Sequence, residues 1–406
     1  MEALRGLRPD NVGGGEEAEG CACGDGGGPP PLRYEAAPAD GGAEAAYERE
    51  GASFALGAPP PGDSLEALFP FPPEEPLSLS AFIVGGRERP PTGGAAEEGA
   101  PGGALGTSTC ECVETLSREK GQPCSTAPVV AAISEFVREV APEEKGTTST
   151  EAVRGAAKVL GCTSESCIVA HPDFREFVEG ETDLPAARLD AELLLRFKPP
   201  GPRNSTRLLS NYNIDDVLQQ WAIAYPAFFN YSFNMIDFET AGGSLAQTDV
   251  AGILEGKEPQ QLSGGVVVRR CCTTFACAIN TDVSTGRGKH WVAIFGDCRG
   301  GGAWSLEYFN SAGNPPPVAV TRWLETATER LSTHRRANPR KFGVAPVTGL
   351  PVTDVRHQDS QTECGLYILF YIRARLEGRP CAEFARSRIP DAAMAEFRSH
   401  VFREEG

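Results

Sequence analysis

Apolar positions begin to recur at helical spacing only after Ala127. In "APVVAAISEFVREVA", Val130, Ile133, Phe136, Val137 and Val140 share one face and predict an amphipathic helix. Beyond "PEEKGTT", Ser149 or Thr150 is positioned to cap a second helix, "EAVRGAAKVLG", which Gly161 closes. "SESCIVAHPDFREFVEG" and "LPAARLDAELLLRFK" predict two more short helices, and "KPPGPRNSTR" a hinge or linker. The pattern then becomes mixed. "NIDDVLQQWAIAYP" predicts a helix with Asn213 as N-cap, and "GGVVVRRCCTTFACAIN" a strand or hairpin. "KHWVAIFGD" and "GAWSLEYFN" are short β-type runs joined by a Gly-rich turn, an antiparallel hairpin. "VAVTRWLETATERLSTH" reads as helical and "KFGVAPVTGLPVTDVRHQ" as extended. "ECGLYILFYIRARLEG" reads as a helix stopped by Gly378, and "DAAMAEFRSHVFREE" as a last amphipathic helix. Strands and helices segregate, which predicts an α+β fold.

Composition changes the picture upstream. Glycine (46) and proline (33) make roughly a fifth of the 406 residues, and they concentrate in the first third. Residues 1–125 therefore read as a disordered Gly/Pro/Ala/Glu-rich region, with one apolar island, "SLEALFPFPPEEPLSLSAFIVGG". Three parts result: this region, a helical arm module over 126–200, and a core domain over 201–406. The net charge of −17 argues against a nucleic-acid partner, since phosphate contact wants a basic face. No apolar run approaches the length of a membrane span, and the N-terminus lacks the apolar stretch of a secretory signal. Thirteen irregularly spaced cysteines argue against a structural zinc site and predict free thiols in a reducing, intracellular compartment.

One of those cysteines is placed for chemistry. A thiol nucleophile needs a base, a group to orient the base, and donors for an oxyanion. Cys364 opens its predicted helix, where orphan N–H groups and the positive dipole end favour a thiolate. Gly365 behind it leaves room for a substrate backbone. His290 starts a strand beside Trp291 and is the candidate base; Asn310 ends the next strand and can fix its tautomer. Gln358, six residues before the cysteine, can aim an amide N–H at the oxyanion, with Gln361 as the alternative donor.

The order His290-Trp291, Asn310, Gln358, Cys364-Gly365 resembles the SUMO- and ubiquitin-like-protein protease clan, in which the cysteine comes last and opens the central helix. The resemblance is closer to the polyprotein-processing proteases of large cytoplasmic DNA viruses, of the African swine fever virus type. It is carried by "LLSNYNIDDVLQQW", by asparagine where cellular members have aspartate, and by a helical arm containing "GCTSESCIV". It spans about Ala127 to Phe402. It implies a ubiquitin-like-protease (adenain-like) fold, a central mixed or antiparallel sheet flanked by helices, preceded by the arm. It implies a cysteine endopeptidase, with no cofactor or metal, acting at Gly-Gly or Gly-X sites. Catalysis falls to His290, Asn310, Gln358 and Cys364, and substrate contact to Trp291 and Gly365. Viral structural polyproteins cut during virion maturation are the implied substrates, which would put the enzyme in the host cytoplasm, at virus factories, and in the virion. A SUMO- or ubiquitin-like modifier on a conjugate is the alternative substrate. An inactive binding module on the same fold is a third reading.

Other residues have plainer readings. His357 adjoins Gln358 and could line the cleft; Asp237 could frame its mouth, cap a helix or hold a turn. Trp221 and Trp323 read as core. Cys271, Cys272, Cys277 and Cys298 read as buried strand thiols rather than metal ligands. Arg330, Arg335, Arg336, Arg340 and Lys341 form a basic cluster, ordinary near a helix C-terminus or a weak surface for an acidic partner.

Overall fold

The computed structural model describes residues 111–113, 121–203, 205–262 and 266–404. The apolar island near residues 64–86 and most of the N-terminal region lie outside them. The arm consists of helices α1 (Ala127–Val140), α2 (Ser149–Leu160), α3 (Glu165–Ala170), α4 (Pro172–Glu181) and α5 (Ala186–Arg196). Their apolar faces close one core around Ile133, Phe136, Val169, Phe174 and Leu189. "SESCIVAHPDFREFVEG" yields two helices rather than one. His171 is held extended ahead of Pro172, and its imidazole accepts the Asp173 N–H to start α4. The cap of α2 is Thr148, one residue earlier than expected, because Glu151 reaches back to close a capping box. Gly161 ends that helix at φ 67°.

The arm cysteines are not free. Cys112 pairs with Cys124, and Cys162 with Cys167, across Cα separations of 5.4 and 5.7 Å. Cys112 is also bridged to Phe197, so residues 111–113 belong with the arm although they lie upstream of residue 125. The free thiols among the described residues, Cys271, Cys272, Cys277, Cys298, Cys364 and Cys381, all lie in the core. Cys272, Cys277 and Cys298 are buried, and burial pushes each thiol up.

The core opens with α6 (Asn211–Ala224). Ser210 is its N-cap, and Asn213 is the third helical residue, returning its side chain to the Ser210 N–H at 3.1 Å. Seven strands follow: β1 (Phe228–Met235), β2 (Pro259–Leu262), β3 (Val266–Arg269), β4 (Thr274–Asn280), β5 (Trp291–Asp297), β6 (Trp304–Phe309) and β7 (Val347–Val352). Five of them form one sheet in the order β1-β4-β5-β6-β7, and β2 and β3 make a separate hairpin. The β4-β5-β6 centre is antiparallel, and the edges β1 and β7 run parallel to their neighbours. The expected hairpin of "KHWVAIFGD" and "GAWSLEYFN" is β5-β6. "GGVVVRRCCTTFACAIN" splits between the two sheets.

Both faces of the sheet are covered, so its central strands are buried along nearly their whole length rather than on alternate residues. Helices α7 (Val318–Ala337), α8 (Cys364–Leu376) and α9 (Asp391–Val401) complete the cover. Ala276, Ala278, Ala293 and Phe295 face α6, α8 and α9; Phe275, Cys277, Val292 and Ile294 face α7. Small residues on the first face let α8 sit close to the sheet. Every residue of α8 except Arg373 is buried. This all-round burial marks the central helix of the fold. Trp221 lies in the core on the first face, and Trp323 packs against the core on the second.

An ion network crosses the interface of α8 and β6. The Glu307 carboxylate, fully buried, accepts from Arg375 Nε at 2.8 Å and from the Tyr371 hydroxyl at 2.6 Å. Arg375 also reaches Asp297 at 2.9 Å, and Asp297 binds Arg299. The basic cluster at the end of α7 is partly consumed in the same way. Arg335 is buried over Trp304, its guanidinium bonded to the carbonyls of Phe342, Gly301 and Gly302. Arg335 therefore contributes nothing to a basic surface.

Candidate active site

The ends of β5 and β6 and the start of α8 converge. His290 immediately precedes β5, and Asn310 immediately follows β6. His290 Nε2 lies 2.8 Å from Asn310 Oδ1. Asn310 is itself fixed. Its amide nitrogen donates to the Tyr308 hydroxyl and to the Asn314 carbonyl, and its oxygen also accepts the Ala312 N–H. An acceptor so oriented puts the proton of a neutral imidazole on Nε2 and leaves Nδ1 as the basic nitrogen. Burial holds the His290 pKa below the ordinary histidine value, and the bond to Asn310 opposes this in part.

Cys364 is the first residue of α8 and is 2 % exposed. Burial raises its thiol pKa; N–H groups of Trp291, Gly365 and Cys364 directed at the sulfur pull it back, and the Glu363 carboxylate adds to the rise. The sulfur thus sits against the backbone of the residue that follows His290. Burial thus favours the neutral form of both the Cys364 thiol and the His290 imidazole.

Gln358 is 6 % exposed, whereas Gln361 is exposed. The Gln358 side chain is held at both ends. Its Oε1 accepts the Ser311 hydroxyl at 2.8 Å, and its Nε2 donates to the Ser360 carbonyl at 2.8 Å. An amide nitrogen has two hydrogens, and the Ser360 carbonyl takes one of them. The Ser311 carbonyl also accepts the N–H groups of His357 and Gln358. Sequence reasoning missed Ser311, whose only signal is adjacency to Asn310.

Both residues expected to contact substrate sit differently. Trp291 is 5 % exposed; its indole N–H donates to the Leu209 carbonyl at 3.2 Å, and Phe233 packs edge-on at 6.5 Å. It is part of the core, not a roof over a substrate groove. At Gly365 an added Cβ would meet the Leu209 side chain at 3.0 Å. The missing side chain therefore makes room for Leu209 of the same chain, not for a substrate backbone. Asp237 holds the turn ahead of His290, accepting the N–H and hydroxyl of Ser284.

His357 does not line the cleft. It is buried against Phe309, Tyr367 and Phe384, and its Nδ1 accepts the Ile389 N–H. Burial lowers its pKa from 6.5 to about 4. The folded state therefore favours neutral His357. That contribution is complete above about pH 6.5 and is lost as pH falls toward about 4. A shift of this size corresponds to about 3 kcal/mol. In chemical denaturation across this window, His357→Gln is expected to lose less stability on acidification than the wild type.

Residues 276–405 match the Ulp1 protease family, C-terminal catalytic domain. A cysteine protease of African swine fever virus, strain Badajoz 1971 Vero-adapted, is 44 % identical over 297 residues, covering 73 % of this chain and 96 % of the relative. The chain belongs to the Ulp1 protease family. Like others of that family it is a cysteine peptidase, a hydrolase of peptide bonds. A further Ulp1-family relative, a SUMO-1 cysteine protease of African swine fever virus isolate Tick/South Africa/Pretoriuskop Pr4/1996, is 49 % identical over 246 residues, 61 % of this chain and 85 % of the relative. The crystal structure of an African swine fever virus protease superposes with a TM-score of 0.60 at 41 % identity, over 73 % of this chain and 96 % of that one. The sheet flanked by helices is thus the Ulp1-type fold, and no helix among the described residues is long and apolar enough to cross a membrane.

Proposed function

We propose that this peptidase is an endopeptidase whose nucleophile is Cys364 and whose base is His290. The observation that carries the assignment is the 2.8 Å bond from His290 to Asn310 with the Cys364 sulfur against the next backbone N–H. His290 takes the thiol proton as the sulfur attacks the scissile carbonyl. The oxyanion that forms accepts the Cys364 N–H and the remaining Gln358 amide hydrogen. The carbon–nitrogen bond breaks, and His290 returns the proton to the leaving amine. Water, deprotonated by His290, then releases the acyl group and the thiol. Gln358→Ala is expected to lower kcat about 100-fold with KM little changed, measured by steady-state peptide cleavage.

The substrate reading is Gly-Gly or Gly-X sites in viral structural polyproteins. A cysteine that is 2 % exposed is reached most readily by a backbone without bulky side chains next to the scissile bond. Relatives encoded by a large DNA virus support a polyprotein cut during virion maturation, in the host cytoplasm and the virion. The name of one relative, a SUMO-1 cysteine protease, favours a ubiquitin-like modifier as second reading. The test pairs a short Gly-Gly peptide and candidate core polyproteins with a folded modifier conjugate. Efficient cleavage of the first two, with new N-termini after glycine by sequencing, supports the proposal. Cleavage confined to the conjugate overturns it in favour of deconjugation.

A further inference from the structure

The residue before the nucleophile is an acid, and it is buried. Glu363 is 5 % exposed and would set an uncompensated negative charge beside the sulfur that must become a thiolate. Its partner comes from the far end of the chain. Arg398, on α9 and 2 % exposed, donates from Nη2 to Glu363 Oε2 at 2.7 Å. The other terminal nitrogen of Arg398, Nη1, donates to the carbonyls of Pro202 and Arg207, each at 3.1 Å. Those carbonyls belong to the linker between the arm and α6.

The linker and the C-terminal segment are fastened to each other along this stretch. Lys198 Nζ donates to the Ser399 carbonyl at 3.1 Å, Arg403 N to the Pro199 carbonyl at 3.1 Å, and Gly201 N to the Arg403 carbonyl at 3.2 Å. Arg398 thus touches both the linker and the acid next to Cys364. We propose that Arg398 is a positioning residue for peptide cleavage: it neutralises and fixes Glu363 beside the Cys364 thiol, and the linker carbonyls hold it in place. The inference rests on Cys364 being the nucleophile.

Among the described residues, few charged or titratable groups surround the thiol. His290 lies on the β5 side, and Glu363 precedes the thiol on its own chain segment. Arg398 reaches from α9 through Glu363. The α6 side presents Leu209, which carries no charge. Removing Arg398 leaves the carboxylate unpaired and opposes ionisation of the sulfur; removing the Glu363 charge leaves the guanidinium and favours it.

The experiment measures the rate of Cys364 alkylation by iodoacetamide against pH, read by mass spectrometry on the peptide carrying Cys364, alongside cleavage of a Gly-Gly peptide. Arg398→Met is expected to move the alkylation midpoint up by about one pH unit and to lower kcat/KM near neutral pH about tenfold. Glu363→Gln moves the midpoint down, and the double variant returns it close to wild type. A purely structural arginine gives no such restoration. Should Arg398→Met not fold, the near-isosteric Glu363→Gln still decides. The proposal is overturned if Glu363→Gln keeps the wild-type midpoint, or if the double variant is no closer to wild type than Arg398→Met. Cleavage persisting in Cys364→Ser would remove the nucleophile assignment instead, and the alkylation midpoints would stand regardless.

Discussion

Replacing Cys364 with alanine is expected to lower kcat/KM for peptide cleavage by about four to six orders of magnitude. His290→Ala is expected to do nearly the same. The thiol is buried and its pKa raised, so without an adjacent base almost none of it ionises near neutral pH. The two groups act as one unit, so combining the substitutions adds little to either alone. Neither change touches the fold strongly: alanine at 364 removes one sulfur at the start of α8, and His290 lies in the segment before β5. Cleavage kinetics paired with thermal melts check this. Wild-type melting with residual activity within tenfold of wild type, in either variant, would remove the Cys-His assignment.

The second large effect concerns stability. Arg375→Met is expected to destabilise the core by about 3–5 kcal/mol, because it leaves the fully buried Glu307 carboxylate without its cation. The hydroxyls of Tyr371 and Ser305 would still donate to it, but neither carries a charge. Replacing both charges, as Glu307→Gln with Arg375→Met, is expected to recover most of the loss, since the cost comes from the orphaned ion. Urea midpoints of wild type, the singles and the double measure the coupling. A single substitution that costs under about 1 kcal/mol would mean that water reaches Glu307.

Much of the core could be read from short, strongly patterned segments. The β5-β6 hairpin is two apolar runs around a Gly-rich turn, and α8 is a strongly apolar stretch between Cys364 and Gly378. The parallel edge strands were harder. β1 carries "FFNYSFNM", whose alternation is broken by a register shift between Asn230 and Phe233, where Ser232 adopts φ 63°. The split of the third arm segment turned on one X-Pro step at His171-Pro172. The disulfides were missed because spacing says nothing of partners that only the fold brings together.

At the site, order along the chain singled out His290, Asn310, Gln358 and Cys364, and the structure brings His290 and Asn310 to 2.8 Å. Trp291 and Gly365 misled because a residue beside a reactive group need not face the substrate; here both serve Leu209. Ser311, Glu363 and Arg398 were not legible. Their parts depend on which buried neighbour each meets, and Arg398 lies 35 positions from the acid it binds.

The distribution of sulfur sets opposite redox demands within one chain. Cys364 is useful only as a thiol, whereas the arm carries two crosslinks, Cys112–Cys124 and Cys162–Cys167. Dithiothreitol added to protect the enzyme during an assay would act on both halves. Preparations handled with and without it are therefore different molecules upstream of the linker.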